Sequence, residues 1–127
     1  LYQQIHLYFI GTSYAPGDEG QQTVIPLAAT YGVEDCITEQ PRRIGYFESL
    51  VTLKQASALL ILGSDDQAYN PSKIFTYALV EKAVIAVFRS ENSATQIIRQ
   101  YCEGLVLNYE MAQAKQEEKM LIQRKVM

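Results

Sequence analysis

Asn70, Ser72 and Lys73, in the stretch YNPSKIFTYAL, combine residue types and spacing that could do chemistry. Asn70 followed by Pro71 reads as a helix start: a side-chain oxygen caps the open amides, and proline takes the first position, where no amide is missed. Lys73 is then the third helical residue. A cation there faces the positive end of the helix dipole, which is unfavourable by roughly 0.3–1 kcal/mol when nothing compensates it. A bound anion reverses that sign, because the helix amides, the Ser72 hydroxyl and the ammonium all favour negative charge. The spacing therefore predicts a phosphate or diphosphate at Asn70–Lys73. The plain competing reading leaves Lys73 in water, where the penalty is small.

Other candidates lie in the loops that follow apolar runs. Gly11, Thr12 and Ser13 could bring backbone amides to a phosphate, although a lone glycine there also serves simply to end a strand. No GxGxxG fingerprint follows that strand, which disfavours an NAD site. Arg42 and Arg43 could stack on a base or bind phosphate, as surface arginines in general can. Ser64, Asp65 and Asp66 precede the Asn-Pro step, and Ser90, Glu91 and Ser93 follow another apolar run. Ser93 with Gln96 also reads as a capping box. Tyr69 and Tyr77 flank the lysine motif and read as packing residues. One histidine, His6, and two cysteines, Cys36 and Cys102, show no ligand spacing, so neither a metal site nor a disulfide framework is suggested. Buried thiols in a reducing compartment fit that usage.

The elements that must position these residues alternate. Residues 5–11 are a short apolar strand closed by glycine, and 23–32 suit a helix with Gly32 just past its end. Residues 36–38 form a weak strand, and 45–57 a helix that places Phe47, Leu50, Val51 and Lys54 on one side. ALLILGS at 58–64 is apolar without alternation, as expected of a parallel strand covered on both faces. A helix over 69–82, a strand over 83–88, a helix over 90–101 and a strand over 104–109 follow. Five strands alternating with helices predict an α/β fold: a Rossmann-like open parallel sheet with helices on both faces. In such sheets ligands bind at the carboxyl ends of the strands, where the candidate loops fall. The final stretch, 110–127, reads as a charged helix packed on or extending from the domain formed by 1–109, with Met111, Met120, Leu121 and Val126 to bury.

The segment NPSKIFTYALVEKAVIAVF resembles the part of group 1 (GT4-like) glycosyltransferases that runs Pro, Ser, Lys, two residues, Glu, Tyr, a small apolar stretch, Gly, Lys, Pro and a strand. QPRRIGYFE leading to a helix and QASALLILGS is similar to the preceding part of that domain, and SENSATQIIRQYCEGLVL to the following part. The likeness spans residues 5–109. It implies the C-terminal half of a GT-B fold, the nucleotide-sugar donor domain. On it, Gly11, Thr12, Arg42, Ser64, Asp66, Asn70, Ser72, Lys73, Thr76, Ser90 and Glu91 would contact the donor. Thr76 stands where the family has a glutamate that holds the ribose hydroxyls, and Glu81 replaces the usual helix-ending glycine. The implied activity is sugar transfer from an NDP-sugar to an acceptor such as a glycan or lipid, with the donor as substrate and no further cofactor. A catalytic base would come from an N-terminal acceptor domain lying outside these residues, so the chain alone is expected to turn over nothing. Loss of donor binding, leaving a scaffold or interaction module, is the alternative that Thr76 favours.

Composition narrows the classes further. The chain has 127 residues, is 48% hydrophobic and carries a net charge of −3, with no basic cluster of the kind nucleic acid requires. No apolar run approaches a membrane span, and the first residues lack the basic region of a signal peptide. A soluble cytoplasmic protein is expected, and nothing here indicates membrane association of the parent. A receiver domain would need an acidic pair after the first strand, where GTSYAP has none. A flavodoxin-like FMN loop is matched only in part.

Overall fold

The computed structural model describes residues 4–14, 20–64 and 71–110. Its architecture is α/β with parallel strands, as the alternation predicts. Five strands form, hydrogen-bonded as a pair and a triple. The chain divides into two compact units between Ser49 and Leu50.

In the first unit, β1 (Leu7–Ile10) runs parallel to β2 (Ile37–Gln40), with Leu7 opposite Ile37 and Ile10 opposite Gln40. Two bonds prolong the ladder beyond the strands, from Gly11 N to Gln40 O at 2.8 Å and from Ser13 N to Pro41 O at 3.1 Å. Gly11 leaves β1 at φ +74, a left-handed conformation that glycine adopts without strain. α1 (Val24–Thr30) connects the strands and stops at Gly32, φ +65, as expected from sequence. A 3₁₀ turn at Glu34–Cys36 leads into β2. The sequence predicts β2 over 36–38 only; the strand in fact continues to Gln40, which takes Glu39 out of the loop and into the ladder. Among the described residues of this unit, Ala28 and Glu39 are the buried ones.

The second unit is a βαβαβ chain: β3 (Leu59–Leu62), α3 (Lys73–Val80), β4 (Val84–Phe88), α4 (Ser93–Tyr101) and β5 (Gly104–Asn108), with strand order β3-β4-β5, all parallel. This is the repeating half of Rossmann-like sheets. The strands alternate. Leu59 and Ile61 of β3 and Val84, Ala86 and Phe88 of β4 are buried against Ile74 and Val80 of α3 and Ala94 and Ile98 of α4. Burying each of the leucine, isoleucine, valine and phenylalanine side chains contributes about 1.5–3 kcal/mol, and each alanine less.

α2 (Tyr46–Gln55), within which the division falls, adds Leu50 and Leu53 to this core, with Ala56 just beyond it. Phe47 and Val51, expected on the same side as Leu50, are exposed instead. Leu50 and Leu53 are three apart and share a stripe, whereas Phe47 and Val51 form the neighbouring one. Gly104, φ +152, fits β5 against β4 so closely that a Cβ there would lie 1.9 Å from Val84 O.

Candidate functional site

α3 follows β3, so its N-terminus lies on the carboxyl side of the triple sheet, where a βαβ helix must begin. The helix starts later than its sequence suggests. Ser72 is the N-cap and Lys73 the first helical residue rather than the third. The bonds Ile74 N to Pro71 O (3.1 Å) and Phe75 N to Ser72 O (3.3 Å) span three residues, so Pro71 opens a tight 3₁₀ turn ahead of the α-helix. Pro71 is buried, whereas Ser72 and Lys73 are exposed. The exposed Ser72 makes no side-chain cap bond, and the amides of Ile74 and Phe75 are taken up by the 3₁₀ turn. Thr76, one turn on, is half-buried. Tyr77 packs against the core, and its hydroxyl donates to Leu60 O at 3.4 Å; burial pushes its pKa up. At the other end Glu81 caps α3 with φ 54 and ψ 41, a left-handed position that glycine occupies without strain.

The loop after β4 is organised around Glu91. Its carboxylate accepts from Arg99 Nη2 and Asn108 Nδ2, both at 2.6 Å, and from Thr95 Oγ1 at 2.8 Å. These donors, Arg99 first and then Thr95 and Asn108, hold the carboxyl down to about 2 against a small opposing effect of burial. The α4 cap is Asn92, not Ser93. Asn92 Oδ1 accepts from Thr95 N at 3.0 Å, and Asn92 N donates to Thr95 Oγ1 at 2.9 Å. Threonine closes the box that Ser93 and Gln96 suggest, because the fully buried Thr95 is the residue facing the cap. Ser90 is half-buried beside it. Arg89, whose Nε lies 2.5 Å from Glu110 Oε1, completes this edge.

In the first unit, Thr12 is not turned toward an open loop: its hydroxyl donates to Glu39 Oε1 at 2.9 Å. Arg42 is exposed, and Arg43 places its guanidinium 4.4 Å from the centre of the Tyr14 ring, a cation–π contact. His6 and Thr38 share a hydrogen bond of 2.8 Å. Cys36 and Cys102 are half-buried rather than buried, and burial raises the Cys102 pKa.

The predicted residues thus fall into separate groups. Ser64, Ser72, Lys73, Thr76, Ser90 and Glu91 belong to the second unit, and Gly11, Thr12 and Arg42 to the first. Asp65, Asp66, Tyr69 and Asn70 lie outside the described residues, as does the predicted helix beyond Glu110. Among the described residues no group of histidine, cysteine, aspartate and glutamate could hold a metal ion, and no helix is long and apolar enough to cross a membrane. Sequence reasoning missed Glu39, Asn92, Thr95, Arg99 and Asn108 as partners. Only the Asn92–Thr95 spacing carried a local signal. No protein-family model, curated protein or solved structure matches this chain.

Proposed function

We propose that this chain is the nucleotide-sugar-binding part of a cytoplasmic glycosyltransferase, and that the donor diphosphate sits at the N-terminus of α3. The observation that carries the reading is the joint exposure of Ser72 and Lys73 at the start of that helix, on the carboxyl side of a βαβαβ unit. Amides, a hydroxyl and an ammonium there would stabilise the leaving nucleoside diphosphate as negative charge develops on it. Thr76 would offer the ribose a single hydrogen bond in place of a bidentate carboxylate. Transfer would further require an acceptor-binding domain, which supplies any base. The similarity of residues 5–109 to group 1 glycosyltransferases supports the same assignment.

A second reading, a non-catalytic interaction module, is favoured by Thr12. Its hydroxyl is engaged by Glu39 rather than offered to a ligand. Calorimetric titration with UDP, GDP and ADP separates the two. The donor reading expects one nucleotide to bind and Lys73→Ala to weaken it by roughly tenfold, as loss of a charged hydrogen bond does. Absence of binding at millimolar nucleotide, or equal binding to both proteins, would favour the interaction module.

A further inference from the structure

Glu39 is the buried ionisable side chain among the described residues, and the reading above gives it no task. It projects from β2, and both of its oxygens are filled. Oε1 accepts from Thr12 Oγ1 (2.9 Å), Thr23 N (3.0 Å) and, more distantly, Thr23 Oγ1 (3.5 Å). Oε2 accepts from Val24 N (2.9 Å) and Ile25 N (3.0 Å). The main-chain carbonyl of Glu39 takes a further, longer bond from Gln22 Nε2 at 3.4 Å. Thr23, the N-cap of α1, makes no side-chain cap bond of its own. Glu39, sixteen positions away from that cap along the chain, does the capping instead. The same carboxylate therefore grips both ends of the loop after β1, Thr12 where it leaves the strand and Thr23–Ile25 where it enters the helix.

We propose that Glu39 is a built-in anion that latches Thr12, at the end of β1, to the first turn of α1, and that removing its negative charge, by protonation or by substitution, frees Thr12 and that first turn. The latch is a conformational device and does not depend on the nucleotide reading. α1 carries no ionisable side chain. β1 contributes Tyr8, with His6 just before it, and the 3₁₀ turn contributes Glu34, Asp35 and Cys36. Beyond β2 stand Arg42 and Arg43, the latter over Tyr14. His6 bonds Thr38, whose side chain leaves β2 on the face opposite Glu39. Burial pushes the Glu39 carboxyl up, and the amides of Thr23, Ile25 and Val24 with the Thr12 hydroxyl outweigh it, so the group is held below the usual carboxylate range. The anion is thus balanced by dipoles, and a proton on it would face donors on every side.

Glu39→Gln puts an amide donor where the backbone already donates. Hydrogen exchange of the full chain, read residue by residue by NMR, is expected to show Val24 and Ile25 exchanging about tenfold faster in this variant, in keeping with loss of a charged cap. Val84 and Ala86 in β4 should keep their rates. Unchanged exchange at Val24 and Ile25 would overturn the latch. Should the variant lose the β1–β2 ladder altogether, acid titration of the unmodified protein decides. Amides of Thr23, Val24 and Ile25 that move with the Glu39 carboxyl carbon support the latch, and amides that stay still while it titrates overturn it.

Discussion

At the scale of single residues, the chain places unusual side chains where the backbone asks for something else. Glu81 holds a left-handed conformation, φ 54, at the end of α3. A side chain with a Cβ pays about 1–2 kcal/mol to stand there, and glycine stands there freely at some entropic expense in the unfolded chain. Glu81→Gly is therefore expected to stabilise the protein by about 0.5–1 kcal/mol, seen as a higher denaturation midpoint with an unchanged slope. A lower midpoint would mean that Glu81 makes a compensating contact. The end of α3 near Glu81 was legible in the sequence, because helix ends are written locally. Glu39 could not be found that way: its partners lie 14 to 27 positions away along the chain, and its polarity makes β2 look like a loop. Lys73 was legible as a misplaced cation, while its exact turn was not, because a proline can open either an α or a 3₁₀ turn.

At the scale of elements, Glu91 joins α4 to β5. Arg99 and Thr95 reach it from the helix and Asn108 from the strand. With its carboxyl held near 2 rather than at the usual 4.5, this tie is fully present above about pH 4.5 and is lost as pH falls toward 2. Arg99 and Glu91 are both about half exposed, so solvent screening limits the contribution to on the order of 1 kcal/mol or less. Thermal melts between pH 6 and pH 2 should show the unmodified protein losing its advantage over Glu91→Gln across that window. Parallel pH profiles for the two proteins would contradict the assignment. The apolar runs of β3 and β4 were readable because both alternate residues are hydrophobic, and α3 and α4 because their apolar spacing matches the helical repeat. The buried stripe of α2 was not, since Phe47 and Val51 are as hydrophobic as Leu50 and Leu53 and only the packing partner chooses between the stripes.

At the scale of the whole molecule, hydrophobic burial is unequally divided. Among the described residues, the second unit buries nine apolar residues in one cluster, while in the first Ala28 is the buried apolar residue. Local opening should follow that inequality. Hydrogen exchange under increasing denaturant is expected to open β1 and β2 at a lower free energy than β4, by at least about 1–2 kcal/mol given the burial difference. A single opening energy for both ladders would show that the units unfold as one.

The close approach at Gly104 also bears on which residues the triple sheet can accept. Against Val84 there is room for a hydrogen and nothing larger. The clash belongs to Gly104's own backbone: at φ +152, opposite Val84, a residue with a Cβ would be both strained and crowded. The rung that joins Gly104 to Val84 is thus reserved for glycine, and a side chain introduced there would push β5 away from β4.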